Sequence, residues 1–178
     1  MGKKVKKLCC VLLAVILCMG MTVTAMAASS KYNAAIASYK RYMRGKSGSY
    51  LIRDIDGNGI PELIFHESYY RNELLTYNPK TRKSICLGYV GMGKGYNMPV
   101  RYSKRCHTVM LPNANTGGSY EVIYRVRGTK VRKICTIEGR NNKFCKFGWY
   151  INGKRVSNST YKKIMKRYMK NYCTIYWN

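Results

Sequence analysis

Residues 54–63 read DIDGNGIPEL and hold three of the seven carboxylates in the chain. Asp54, Asp56 and Asn58 occupy positions one, three and five of this segment. Ile60 can offer a backbone carbonyl at position seven, and Glu62 stands at position nine. Ca²⁺ takes about six to eight oxygen ligands on a flexible loop, and this spacing turns successive oxygens toward one point. The segment therefore predicts a calcium site with these five residues as ligands.

The flanks of the segment predict strands. Residues 50–53 and 63–65 are short, largely apolar runs, and Phe65 stands at position twelve, where the helix–loop–helix calcium motif needs a bidentate Glu. We therefore expect a strand–loop–strand site of weak affinity, with a dissociation constant on the order of 10⁻⁴–10⁻³ M. The segment leaves open one alternative, a hairpin turn that holds no metal.

Residues 1–27 have the features of a cleavable signal peptide. Four lysines precede an apolar run over residues 8–21, and Ala25-Met26-Ala27 provides a small-residue cleavage site. The interpretation predicts a secreted or cell-surface protein. Two alternatives stay open: the uncharged run over residues 8–28 is long enough for an uncleaved membrane anchor, and Cys18 is a candidate for lipid attachment.

The remainder, residues 28–178, is short enough to be a single basic domain. It keeps 29 basic residues against seven acidic ones, a formal net charge of +22. Charge of this size predicts attraction to polyanions and does not constrain the fold. We expect anionic cell-envelope polymers, such as teichoic acids, as partners. Nucleic acid and membrane surfaces are the alternatives.

A helix is predicted near each end of this domain, with strands between. Apolar residues at helical spacing indicate a first helix over residues 30–44. The last helix begins near Ser157 or Ser159, and its apolar stripe extends from Tyr161 to Tyr172. We expect this stripe to pack on a sheet, although a basic amphipathic helix can also lie on a membrane.

The fold class predicted is α+β, a single domain with an antiparallel β meander and an N-terminal and a C-terminal helix. Asn152-Gly153 is the strongest hairpin signal in the chain. The predicted strands cover residues 50–53, 63–65, 73–77, 83–90, 100–103, 107–111, 120–126, 131–137, 149–151 and 154–156. The predicted core contains Leu51, Ile52, Leu63, Ile64, Tyr120, Val122, Tyr124 and Trp149.

Five cysteines follow the predicted signal peptide, and their spacing matches no zinc motif. Export permits disulfides. We predict the pairs Cys86–Cys106 and Cys135–Cys145, which leaves Cys173 free. The sequence does not fix this connectivity, so other pairings stay open.

Catalytic motifs are absent from the sequence. Cys106 and His107 are neighbours, and on a strand their side chains would point to opposite faces. We therefore expect a secreted, calcium-stabilised, strongly basic binding protein or cell-envelope protein, and not an enzyme. The alternatives are a nucleic-acid-binding protein, a membrane-active cationic protein and a secreted hydrolase of unknown substrate.

The chain resembles small uncharacterised secreted proteins of Gram-positive bacteria that carry a D-x-D-G-[ND]-G-x-x-E-L loop. The specific part of this resemblance covers residues 54–63. The loop is also similar to the calcium loops of FG-GAP and integrin-propeller repeats. The resemblance implies a calcium site at Asp54, Asp56, Asn58, Ile60 and Glu62, and it implies no enzymatic activity.

Overall fold

The computed structural model describes residues 30–68, 71–89, 100–112, 118–141 and 146–175. The predicted signal peptide and Cys145 lie outside these ranges. Within them, no helix is both long enough and apolar enough to span a membrane.

Helices lie near both ends of the described chain. Helix α1 covers residues 30–43, and helix α2 covers Asn158–Tyr168. A short 3₁₀ helix covers Lys104–Cys106. The strands are β1 (Ser49–Arg53), β2 (Glu62–Ser68), β3 (Arg71–Asn78), β4 (Lys83–Tyr89), β5 (Val100–Ser103), β6 (Thr108–Pro112), β7 (Gly118–Arg127), β8 (Lys130–Asn141), β9 (Phe147–Ile151), β10 (Lys154–Val156) and β11 (Cys173–Ile175).

The strands form two antiparallel sheets. The first sheet has the order β1-β2-β3-β4, and the second has the order β10-β9-β8-β7-β6-β5-β11. The predicted α+β class is therefore confirmed, but the expected meander is divided into two sheets. Strand β11, which was not predicted, pairs with β5 after the chain has passed through α2.

The two sheets face each other, and each carries a helix on its outer face. Leu51, Ile64 and Leu74 of the first sheet share a buried cluster with Val109 and Val126 of the second sheet. On the other side of the first sheet, Leu63, Phe65 and Leu75 pack with Ala35 and Tyr39 of α1. On the other side of the second sheet, Met110, Ile123 and Ile137 pack with the residues of α2. The described chain therefore has four layers: α1, first sheet, second sheet and α2.

Half of the predicted core residues are fully buried. Leu51, Leu63, Ile64 and Val122 are buried, whereas Ile52, Tyr120, Tyr124 and Trp149 are only half-buried. The alternation predicted one buried face, but the central strands are covered on both faces. Ile123 and Val126 are each fully buried, the first facing α2 and the second facing the first sheet.

Helix α2 begins as predicted and ends early. Ser157 is its N-cap, and the Ser157 hydroxyl accepts a hydrogen bond from the Thr160 N–H. The predicted stripe extended to Tyr172, but the helix ends at Tyr168, and Tyr172 is exposed. The chain turns there because Cys173 pairs with Tyr102 of β5. The apolar stripe packs on the second sheet, as expected: Tyr161 is stacked on Trp149, with ring centroids 3.9 Å apart.

The Asn152-Gly153 hairpin is confirmed. It joins β9 to β10, and both turn residues have positive φ angles of 50° and 77°, as a two-residue primed turn requires. The Asn152 side-chain oxygen also accepts a hydrogen bond from the Thr136 N–H at 2.9 Å.

The disulfide prediction is wrong for Cys86 and Cys106. Cys86 lies on β4 of the first sheet and Cys106 in the 3₁₀ helix before β6, and both carry free thiols. Cys135 and Cys173 are free as well. The predicted partner of Cys135, Cys145, lies outside the described residues.

Candidate cation site

The acidic loop, residues 54–62, connects the first two strands. Arg53 of β1 pairs with Glu62, the first residue of β2, and this pair closes the loop. Gly57 and Gly59 have φ angles of +75° and +82°, a region that glycine enters without steric cost. The loop therefore has the strand–loop–strand geometry expected from the sequence.

Three carboxylates of this loop converge. Asp54, Asp56 and Glu62 each place an oxygen within 4.8 Å of the other two. Oxygens that share one Ca²⁺ at about 2.3–2.6 Å lie no more than about 5 Å apart. Asp56 and Glu62 are buried, and Asp54 is partly buried. The spacing and the all-oxygen donor set fit a hard cation such as Ca²⁺ better than they fit zinc.

Two carboxylate oxygens in this cluster lack a partner in the described part of the chain. Asp54 Oδ1 and Glu62 Oε1 are buried, and neither has a hydrogen-bond partner among the described residues. The other Glu62 oxygen, Oε2, accepts a hydrogen bond from the Ile55 N–H at 2.8 Å. A buried acceptor that remains unsatisfied costs about 1–3 kcal/mol. A cation bound between these oxygens would remove that cost.

Burial raises the pKa of Glu62 from its ordinary 4.5 to about 8. The Ile55 hydrogen bond acts in the opposite direction, and the charges of Asp56 and Asp54 raise the pKa further. In the absence of a cation, the Glu62 carboxyl is therefore mainly protonated at neutral pH. A bound cation would favour the ionised form and displace that proton.

Asn58 and Ile60, the other two predicted ligands, are engaged with the loop itself. The Asn58 side-chain oxygen accepts a hydrogen bond from the Ile60 N–H at 2.7 Å, and its amide donates to Asp56 Oδ2 at 3.0 Å. Asn58 is exposed, and Ile60 packs its side chain beside α1. The structure thus brings together the three carboxylates, while the role of Asn58 and of the Ile60 carbonyl as ligands stays a prediction.

The acidic loop also contacts the second sheet. The Gly128 N–H, in the turn between β7 and β8, donates to Asp56 Oδ2 at 2.6 Å. The Lys104 ammonium, in the 3₁₀ helix before β6, lies 3.2 Å from Asp54 Oδ2. Sequence reasoning missed both partners because they are separated from the loop by many residues and have no local signature.

Helix α1 holds the end of the loop. The Tyr39 hydroxyl donates to the Pro61 carbonyl at 2.6 Å. Burial, together with the nearby Glu62 carboxylate, raises the pKa of Tyr39, so the phenol stays protonated. The acidic loop therefore joins α1, the first sheet and the second sheet at one point.

Cys106 and His107 lie at the end of the 3₁₀ helix and not together on a strand. The Cys106 thiol donates to the Arg167 carbonyl at 3.6 Å. His107 adopts a left-handed backbone conformation with φ of 54° at the end of the 3₁₀ helix. The strand geometry expected for these two residues is therefore wrong, because a helical turn separates β5 from β6 here.

No protein-family model, no curated protein and no solved structure matches this chain. The resemblance carried by residues 54–63 therefore stays a prediction.

Proposed function

We propose that this chain is a secreted, strongly basic binding protein that a Ca²⁺ ion stabilises at the acidic loop, and that it binds anionic cell-envelope polymers without catalysing a reaction. The observation that carries the proposal is the convergence of Asp54, Asp56 and Glu62 within 4.8 Å, in a chain of formal net charge +26. Three acids grouped in so basic a chain repel one another, and a bound cation would offset that repulsion.

The contacts of the loop support a stabilising role for the ion. Asp56 accepts a hydrogen bond from the second sheet, and Pro61 accepts one from α1. An ion that fixes the carboxylates also fixes these contacts between layers. A ligand that binds only the folded state raises the free energy of unfolding by RT ln(1 + [L]/Kd).

The charge balance supports a polyanionic partner. The chain has 33 basic residues and seven acidic ones, so most basic side chains cannot have an acidic partner in the same molecule. Burial further holds the Glu62 carboxyl in its neutral form until a cation binds. An excess of this size attracts polyanions through long-range electrostatics.

The packing of α2 favours a polymer over a lipid bilayer as the partner. Met169, just after α2, is only 2% exposed, and Tyr161 is stacked on Trp149. The apolar side of α2 therefore packs, half-buried, on the second sheet, and the basic side faces solvent. This arrangement suits surface attraction to a charged polymer.

Binding to immobilised poly(glycerol phosphate), measured as a function of NaCl, tests the proposal. We expect the binding constant to fall by about tenfold or more between about 50 and 200 mM salt, because each neutralised phosphate releases counterions. A neutral polysaccharide resin is the control. Equal retention on both resins, or retention indifferent to salt, contradicts the proposal. Tighter binding to single-stranded DNA of matched charge would support the nucleic-acid alternative instead.

A further inference from the structure

We infer that the end of the β7–β8 hairpin is a binding site for a phosphate group, formed by Arg125, Arg127, Lys130 and Arg132. The inference rests on the proposed binding of anionic polymers, and it names the place where one phosphate of such a polymer is held. These four residues lie on either side of the turn at Gly128.

The strand register places the four basic side chains on one face. Arg125 of β7 lies directly opposite Arg132 of β8, and Arg127 lies opposite Lys130. Residues two apart on a strand share a face. The two pairs are therefore stacked along the hairpin end, and Val126, between the two arginines of β7, points to the core.

This grouping opposes folding unless an anion is present. Like charges directly opposite each other in an antiparallel pair are destabilising. Among the described residues, those that line the cavity at this place are Arg125, Arg127, Lys130, Val131 and Arg132, and none of them is an acid. An anion bound between the two pairs would convert the repulsion into attraction.

The cavity has the size and donors for a small anion. Its volume is about 330 Å³, at the lower end of the range for small-ligand sites. The Nε atom of Arg125 is buried and has no hydrogen-bond partner within the described ranges. The site thus contains a donor that no acceptor in the described part of the chain satisfies.

Two contacts hold the site in place before a ligand arrives. The Arg125 guanidinium lies over the Tyr168 ring at the end of α2, 5.6 Å from the ring centroid. The turn itself is held by the hydrogen bond from the Gly128 N–H to Asp56 in the acidic loop. A positively charged fork that is already ordered loses less entropy when it binds.

The donor arrangement suits a phosphate better than a carboxylate. Arginine forks and a lysine ammonium approach from both strands, and a tetrahedral phosphate offers oxygens in several directions. A carboxylate offers its two oxygens in one plane. Free phosphate and the phosphodiester of a polymer share this chemistry. The experiments below therefore test inorganic phosphate and the polymer as separate ligands.

Phosphate titration of the full domain by NMR tests the site, with the Arg125 Nε–H signal as the direct readout. This signal is identified by its absence in Arg125→Gln. Two pocket variants are compared. The first combines Arg125→Gln with Arg132→Gln. The second combines Arg127→Gln with Lys130→Gln, and because both of these side chains are exposed, the second variant retains the fold. The matched control is Lys162→Gln with Lys163→Gln, which removes the same charge from the exposed side of α2.

We expect saturable phosphate binding, a shift of the Arg125 Nε–H signal, and an affinity loss of about tenfold or more in the pocket variants. The control should lose less than about twofold, because its two lysines are exposed, do not line the cavity and are screened by salt. Equal losses in all three variants, or no saturation by inorganic phosphate, would overturn the site.

The same proteins are then applied to poly(glycerol phosphate). Salt-dependent polymer binding without saturable phosphate binding overturns the site and leaves the proposed function intact. Saturable phosphate binding without polymer binding supports the site for a small free anion and contradicts the proposed function. Loss of polymer affinity in the pocket variants, but not in the control, supports both.

Discussion

Replacement of Glu62 by Gln separates cation binding from the fold. Burial raises the pKa of Glu62 to about 8, so below that pH the cation-free carboxyl is neutral, like an amide of the same size. The Gln oxygen can still accept the hydrogen bond from the Ile55 N–H. In chelator at pH 6, only the unfolded parent has released the Glu62 proton, so we expect the variant to be more stable than the parent by up to about 2 kcal/mol.

The calcium response should differ strongly between the two proteins. With a dissociation constant of about 10⁻⁴–10⁻³ M at pH 8, about 10 mM calcium adds about 1.4–2.7 kcal/mol to the free energy of unfolding. For a domain of this size that raises Tm by about 3–10 °C. Glu62→Gln should lose most of this shift because it removes a charged ligand.

The pH dependence of the calcium response follows from the same carboxyl. Below the Glu62 pKa of about 8, a proton competes with the cation, and the apparent affinity falls about tenfold per pH unit. At pH 6 the same calcium concentration should raise Tm by less than about 2 °C.

Without calcium, the sign of the pH effect on stability is reversed. The Glu62 pKa is about 8 in the folded state and 4.5 for the ordinary group. The folded chain therefore holds the Glu62 proton over a range in which the unfolded chain has released it. The contribution of Glu62 to the free energy of unfolding is therefore fully present below about pH 4.5, and it is lost as the pH rises through about 8. Glu62→Gln should lack this decline.

Thermal melts by circular dichroism, at pH 6 and pH 8 with calcium or chelator, measure all these effects. Glu138→Gln is the matched control. It also removes one carboxylate, but from β8, which is far from the acidic loop in the sequence. It should keep the parental calcium shift. The reasoning is refuted if Glu62→Gln keeps that shift too, or if the parent melts at one temperature with calcium and chelator at pH 8.

Two further substitutions test the packing of the layers. Met169→Ala removes a side chain that is 2% exposed and should lower the free energy of unfolding in urea by about 2–5 kcal/mol. Lys166 is exposed, so Lys166→Ala should change the same quantity by less than about 0.5 kcal/mol. Equal effects would contradict the packing of α2. Gly48→Ala would place a Cβ 2.2 Å from the His66 carbonyl oxygen, whereas a Cβ at Gly153 meets no atom within 4 Å. Both glycines have positive φ, so Gly48→Ala should lower Tm well beyond the shift of Gly153→Ala, and similar shifts would refute the clash.

Local chemistry allowed much of the secondary structure to be predicted. The Asn152-Gly153 turn, the Ser157 cap and the strands on either side of the acidic loop depend on neighbours in the sequence. The end of α2 could not be predicted in this way. Its apolar spacing continues to Tyr172, and only the pairing of Cys173 with β5, more than sixty residues earlier, ends the helix near Tyr168.

The sequence by itself determined the acidic loop as an oxygen-rich strand–loop–strand turn, because side-chain type and glycine placement act over a few residues. Tertiary structure alone decided that Glu62 is fully buried with a pKa near 8, and that Gly128 and Lys104 reach the loop from the second sheet. It also decided that one predicted meander becomes two facing sheets. These properties depend on which distant surfaces exclude water from each other, and the order of residues along the chain does not specify that locally.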